Sequence, residues 1–229
     1  MTTVIKVGGV LLEDPLKAVR AIRRVQTDHA AVVHGGGVQI TRMLERMDVK
    51  SVFIEGLRVT DENTLAAVAA ALLGEVHTTL VKELRRQGVP AVGMFGVVQA
   101  SKKEGPWGLV GTKVHANAAA LRALLDAGYM PVVPTLALGD DSLLNVNGDE
   151  TATAVAVALQ CKELVFLTDV DGVKNDHGAV IEKLKRPDEL LTASFVSGGM
   201  IPKLRAVKAA MDGGIEVVRV GRTIFGEAS

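Results

Sequence analysis

The sequence predicts an α/β protein built on a largely parallel central sheet. Two observations lead to it: short β-branched runs alternate with longer amphipathic stretches, and glycine clusters stand where several of those runs end. The composition agrees. Of 229 residues, 48% are hydrophobic and 23% charged, an ordinary globular balance. The chain is long enough for one large domain, or two small lobes sharing a sheet, around a sizeable core.

Val4-Ile5-Lys6-Val7 reads as the first strand and stops at Gly8-Gly9, after which Pro15 opens a helix with apolar spacing Leu16, Val19, Ile22. Ala30 to Val33 is the second strand. It ends at His34-Gly35-Gly36-Gly37, with a helix from Val38. Two helices are expected between about Asp61 and Gln87, stopped by Gly88, followed by a strand from Ala91 to Met94. The polar, glycine-containing stretch 97–113, with the lone Trp107, suits a β-hairpin or lid. A helix over Ala116 to Ala127 leads to a strand at Met130 to Val133, and a turn at Gly139-Asp140-Asp141 follows. The Ala/Val-rich segment 151–159 is a buried helix by composition. Glu163 to Thr168 is a strand ending at Asp169-Val170-Asp171-Gly172, a final helix starts near Met200, and Glu216 to Val220 is the expected last strand. A two-lobe division is expected near residue 160, without a flexible hinge.

Lysine plus arginine and aspartate plus glutamate number 26 each. A zero net charge argues against nucleic acid or an anionic membrane as the main partner. Aromatics at 3% leave few base-stacking platforms. The single Cys161 excludes an intramolecular disulfide and a cysteine-built metal cluster. The N-terminus lacks a basic segment followed by an apolar one, and no unbroken apolar run reaches the ~18–20 residues of a spanning helix. A cytoplasmic protein is expected.

Parallel sheets bind ligands at the carboxyl ends of their strands. Three such ends carry glycines here: Gly8-Gly9, Gly35-Gly36-Gly37 and Asp171-Gly172. Without side chains, backbone N–H groups can approach an anion, and a following helix adds a favourable dipole. Strand-to-helix turns also use glycine simply for its backbone freedom, but three clusters on one edge point to a ligand. Neither the P-loop nor the Rossmann fingerprint occurs. Lys6 interrupts an otherwise buried strand, so its charge is expected at the end of the sheet. Lys203 follows Gly198-Gly199-Met200-Ile201-Pro202 and sits in a first helical turn, the end of the dipole that disfavours cations. An anion between the two lysines would account for both. Asp149 precedes an apolar helix, where an acid serves as a cap or first-turn residue; it could also orient the lysines. His34 stands in a His-Gly-Gly-Gly string, yet no G-x-S-x-G elbow accompanies it, so acyl transfer lacks its nucleophile. The five histidines show no metal-ligand spacing.

Six ordered motifs carry a resemblance. Ile5-Lys6-Val7-Gly8-Gly9, Val33-His34-Gly35-Gly36-Gly37, Gly56-Leu57-Arg58-Val59-Thr60, Asn145-Val146-Asn147-Gly148-Asp149, Leu167 to Val173 and Gly198 to Lys203 resemble the amino-acid kinase superfamily. Gly-Leu-Arg-Val-Thr points to its acetylglutamate branch, and His77 stands where many of its members carry Asn-Lys. The resemblance implies an open αβα sandwich with a mainly parallel sheet. Residues 1–160 would form an N-terminal lobe for the acyl amino acid and dimerisation, and residues 161–229 a lobe for ATP. Lys6 and Lys203 match the lysines that stabilise the transition state, and Asp149 the aspartate that organises them. Gly36, Gly37, Arg58 and Asn145 match substrate contacts. Gly8, Gly9, Asp169, Val170, Asp171, Gly172, Val173, Lys174, Ser197 and Gly199 match nucleotide contacts, with Mg²⁺ carried by the ATP and no metal site on the protein. The implied reaction phosphorylates the side-chain carboxylate of N-acetyl-L-glutamate. The neighbouring alternatives are a carrier-bound or acetylated 2-aminoadipate as substrate, or a non-catalytic nucleotide sensor on the same fold. Arginine-regulated members carry an extra N-terminal helix, so a homodimer without arginine feedback is expected. An apolar helical face of Leu65, Ala66, Ala69 and Leu72 offers a surface for it, although such a face serves equally well in the core.

Overall fold

The structure, a computed structural model, describes residues 2–25 and 29–227. Its strands are β1 (Thr2–Val7), β2 (His29–His34), β3 (Phe53–Ile54), β4 (Leu57–Arg58), β5 (Ala91–Gly93), β6 (Val98–Lys102) and β7 (Gly111–Ala116). There follow β8 (Met130–Pro134), β9 (Leu136–Leu138), β10 (Leu143–Asn145), β11 (Glu163–Leu167), β12 (Lys183–Leu184), β13 (Val217–Val220) and β14 (Thr223–Gly226). The α-helices are α1 (Pro15–Arg24), α2 (Gly37–Arg46), α3 (Glu62–Arg86), α4 (Ala118–Asp126), α5 (Gly148–Leu159), α6 (Asp188–Leu191) and α7 (Met200–Asp212).

One eight-stranded sheet runs in the order β12-β14-β13-β11-β1-β2-β8-β5. Every neighbouring pair is parallel except β13 and β14. Helices cover both faces, and the strand period of two decides which side chain meets which layer. Ile5 and Val7 of β1 pack with α1 (Val19, Ile22) and the end of α3 (Leu80, Leu84). Val4 points the other way, into a cluster with α4, α5 and α7. Lys6 shares the parity of Val4, so it emerges on the α5/α7 side. The sheet crosses residue 160 without interruption, because β11 pairs directly with β1. There Gln160 ends α5 in a left-handed conformation (φ 49°).

A four-stranded sheet, β10-β9-β6-β7, and the β3–β4 hairpin stand beside the main sheet. The hairpin expected within 97–113 is present as the antiparallel pair β6–β7. Three expectations need correction. The two helices expected between about Asp61 and Gln87 form one continuous helix, Glu62–Arg86, whose middle, Ala70–His77, is π-helical. The strand at 216–220 is not the last: Gly221, at φ 56°, permits a two-residue turn, and β14 returns antiparallel to β13. Leu72 does not belong to an outward face; it is fully buried with Ile40, Leu44 and Leu136, whereas Ala66 is exposed. Helix α3 also has the length and composition to cross a membrane, although no unbroken apolar run shows it. Its apolar residues Val68, Leu72, Val76, Leu80 and Leu84 are instead spent on the protein's own core.

Candidate active site

Helix α5 begins at Asn147, whose side chain accepts hydrogen bonds from the N–H groups of Asp149 (2.8 Å) and Glu150 (3.2 Å). With the cap supplied by Asn147, the Asp149 carboxylate is left for other partners. Lys6 Nζ from β1 lies 2.8 Å from its Oδ1, and Lys203 Nζ from the first turn of α7 lies 2.9 Å from its Oδ2. All three side chains are nearly buried, at 11–13% exposure. Burial by itself would raise the Asp149 carboxyl, but Lys6 and Lys203 overcome it and hold the group below the usual carboxylate range. Burial pulls the Lys203 ammonium down against the opposing pull of Asp149. The ring of Phe166, in register with Lys6 on β11, lies 5.2 Å from Lys203 Nζ. Two ammonium groups sharing one carboxylate leave a net positive centre at the strand ends, suited to an anion that carries charge of its own.

Two clefts meet there. One, of about 440 Å³, is lined by Gly8, Gly9, Asp169, Val170, Ser197 and Gly199 together with Lys6 and Lys203. The other, of about 220 Å³, is lined by Gly36, Gly37, Arg58, Asn145 and Phe53, again with Lys6 and Gly9. The junction depends on missing side chains. A Cβ on Gly9 would lie 2.9 Å from Gly37 N, so the first two glycine loops touch backbone to backbone. Among the described residues the N–H groups of Gly9, Gly36 and Gly37 have no backbone acceptor.

Arg58 is buried, and burial lowers its pKa. It donates to Thr41 Oγ1 (2.9 Å), Gly37 O (3.3 Å) and Ser51 Oγ, and its guanidinium stacks 4.6 Å from the Phe53 ring centroid. Thr60, fully buried, donates to Arg58 O (2.8 Å) and accepts from Asn145 Nδ2 (3.1 Å). That fixes the Asn145 amide, leaving its Oδ1 as an acceptor for a donor elsewhere.

Asp171, Gly172, Val173 and Lys174 lie outside the lining of both clefts. The Asp171 carbonyl accepts from Arg222 N, Val173 is buried with its N–H on Thr223 Oγ1 (2.8 Å), and Lys174 bridges to Val180. Thr168 and Met200 in the larger cleft and Leu57 in the smaller stood inside the six motifs without a role of their own, and Val10, Leu11, Ile40, Val110 and Thr135 stood outside every motif. Following each glycine loop two residues further would have found Val10 and Leu11. The others come from elements whose proximity only the fold creates. Among the described residues no group of three or more His, Cys, Asp or Glu could hold a metal.

The sheet, the paired clefts and the lysine–aspartate centre define a phosphotransferase-like α/β protein, and comparison gives the family. The amino acid kinase family matches residues 1–220, and the chain belongs to it. Its relatives include acetylglutamate kinases. Those of Methanopyrus kandleri and Rubrobacter xylanophilus are each 42% identical, over 92% and 96% of this chain and 91% and 90% of their own. That of Geobacillus kaustophilus is 38% identical over 98% and 92%. Among solved structures, the smu.665 protein of Streptococcus mutans superposes with a TM-score of 0.86 at 31% identity, covering 98% of both chains. N-acetylglutamate synthase of Neisseria gonorrhoeae, solved with coenzyme A and N-acetyl-glutamate, superposes at 0.85 and 25% identity. It matches all of this chain over 60% of its own length.

Proposed function

We propose that the protein transfers the γ-phosphoryl group of ATP to the side-chain carboxylate of N-acetyl-L-glutamate, a step of arginine biosynthesis. The observation that carries this reading is the meeting of the two clefts at Lys6 and Gly9. A phosphoryl donor in one and a carboxylate in the other would face each other across the positive centre. A carboxylate oxygen forms the new bond to phosphorus as the bond to the ADP oxygen breaks. The nucleophile is already ionised at neutral pH, so no general base is needed. Catalysis then reduces to alignment and charge stabilisation.

Lys6 and Lys203 stabilise the charge on the transferring group, and Asp149 holds both ammonium groups in place. Gly36, Gly37, Arg58 and Asn145 bind the acyl amino acid, Arg58 through its carboxylate-matching fork and Asn145 through its free Oδ1. Gly8, Gly9, Ser197, Gly199 and the loop from Asp169 to Lys174 bind the nucleotide. In the loop, Asp169 and Val170 supply the cleft wall, while Asp171, Gly172 and Val173 anchor that wall to the turn and start of β14 and Lys174 ties it to Val180. Mg²⁺ carried by the nucleotide would supply charge neutralisation at the phosphates, and so carried it would need no all-protein cage. Residues 1–160 form the acyl-amino-acid lobe and residues 161–229 the ATP lobe. The protein works in the cytoplasm as a homodimer, through the exposed side of α3 around Ala66, with no nucleic acid or membrane as partner. Light scattering gives the assembly, with a monomer overturning that part.

Substrate choice tests the reading. One methylene of mismatch discriminates by roughly 1–3 kcal/mol, so kcat/KM for N-acetyl-L-glutamate should exceed that for N-acetyl-2-aminoadipate by about tenfold or more. A preference for the longer acid would assign the site to the 2-aminoadipate series instead.

A further inference from the structure

Behind the second glycine loop lies a pair of histidines that the phosphoryl-transfer site does not use. His34, the last residue of β2, is fully buried; His77 closes the π-helical segment of α3. His34 Nδ1 is 3.0 Å from Gly35 O, and His34 Nε2 is 2.8 Å from His77 Nδ1. These contacts determine where the protons sit. A carbonyl only accepts, so His34 Nδ1 carries the hydrogen. In a neutral ring its Nε2 is then a bare acceptor, and His77 Nδ1 must donate to it. The result is a directed relay, His77 N–H to His34, then His34 N–H to Gly35 O.

The same helical segment presses on the loop directly. A Cβ on Gly36 would lie 2.9 Å from Leu72 Cδ2 and 3.2 Å from Val76 Cγ2, and one on Gly93 would lie 2.3 Å from His77 Nε2. Gly93 thus leaves room for the His77 ring, and Gly36 lets the helix reach the loop. π-Helical segments within α-helices are rare and frequently stand at functional sites. In a trans peptide the N–H points opposite to the C=O. Holding the Gly35 carbonyl toward the His34 ring therefore turns the Gly36 N–H away from it, and that N–H has no backbone acceptor among the described residues.

We propose that His77 and His34 are positioning residues that lock the Gly35–Gly36 peptide, aiming the Gly36 N–H at the anionic group of the substrate during transfer. The proposal rests on the kinase reading for its substrate, but the relay itself stands on geometry. Both rings are held neutral: burial drives His34 down to about 3, against the Gly35 hydrogen bond, and lowers His77 as well. Their neighbours in the sheet, Val7 and Pro134 beside His34 and Gly93 beside His77, carry no charge.

Nitrogen-15 NMR of the imidazoles in the ligand-free wild-type protein tests the relay without reference to activity. His34 should be protonated at Nδ1 and bare at Nε2, with His77 protonated at Nδ1; a proton on His34 Nε2 would overturn it. The functional half compares His77→Leu with His77→Asn, whose amide can donate in place of Nδ1. His77→Leu should lower kcat/KM for N-acetyl-L-glutamate by about tenfold or more while leaving ATP binding within about twofold, and His77→Asn should restore most of the loss. Equal activity of the two variants would refute the positioning role. Wild type inactive on N-acetyl-L-glutamate, with the expected tautomers intact, would overturn the substrate reading and leave the relay standing. Should His77→Leu fail to fold, the tautomers and His77→Asn kinetics still decide.

Discussion

Lys203 Nζ lies 2.9 Å from Asp149 Oδ2, joining the first turn of α7 to the first turn of α5 across 54 residues of sequence. A lysine at that end of a helix opposes the dipole. The carboxylate compensates it in the resting protein, and an incoming phosphoryl group would add to that compensation. Lys6 makes the equivalent contact from the sheet, 2.8 Å from Oδ1.

Replacement of either lysine by alanine should therefore act on the transition state. In Lys6→Ala and Lys203→Ala, kcat should fall by about two orders of magnitude or more, with KM changed far less. Steady-state kinetics with each substrate varied in turn checks this. Near wild-type kcat in either variant would remove that lysine from the mechanism.

Arg58 is held by Thr41, Ser51 and the Gly37 carbonyl and stacked on Phe53. A lysine can reproduce neither the fork nor the stacking. Arg58→Lys should weaken N-acetyl-L-glutamate binding by about tenfold and leave ATP affinity nearly unchanged, as measured by calorimetric titration of each ligand. Equal losses for both would indicate general damage.

Thr60 touches neither cleft, yet its hydroxyl links Arg58 O to Asn145 Nδ2. Thr60→Val keeps the shape and deletes the link. The Asn145 amide is then free to turn, and KM for the acyl amino acid should rise by several-fold, roughly the value of one hydrogen bond of about 1 kcal/mol. An unchanged KM would show that Asn145 is oriented by something else.

Buried His34 and half-buried His77 set an acid limit on stability. In the unfolded chain they take up protons below about 6.5, whereas folded His34 resists until about 3 and folded His77 also titrates lower. The unfolded state thus binds more protons in this window, and stability falls as pH drops from 6.5 toward 3. Asp149, depressed in the folded state, adds to the loss at the acidic end as pH falls below its unfolded value of 3.8. Thermal unfolding between pH 7 and pH 5 should show a falling midpoint that flattens in His77→Asn. A midpoint as steep in that variant as in wild type would exclude His77 as a source of the slope.

Lys6 and Lys203 were legible in the sequence because each broke a local rule, a charge in a buried strand and a cation at a helix start. The glycine loops were legible because strand ends of a parallel sheet carry the ligands. Thr60 stood inside a motif and His77 at a departure from one, but their contacts to Asn145 and His34 were not legible, since those partners stand 85 and 43 residues away and only the fold brings them together. The two-residue strands β3, β4 and β12 are too short to leave a periodic signal. The continuity of α3 was not legible: Gly74 in its middle costs about 1 kcal/mol in a helix, which the burial of Leu72 and Val76 on either side offsets.

The most direct test of the account is the product formed by the purified protein. With ATP, Mg²⁺ and N-acetyl-L-glutamate, ADP release should depend on the acyl amino acid, and hydroxylamine should trap an equal amount of hydroxamate from the acyl phosphate. ADP release that proceeds without the acyl amino acid, or with it but without hydroxamate, would contradict phosphoryl transfer to the carboxylate.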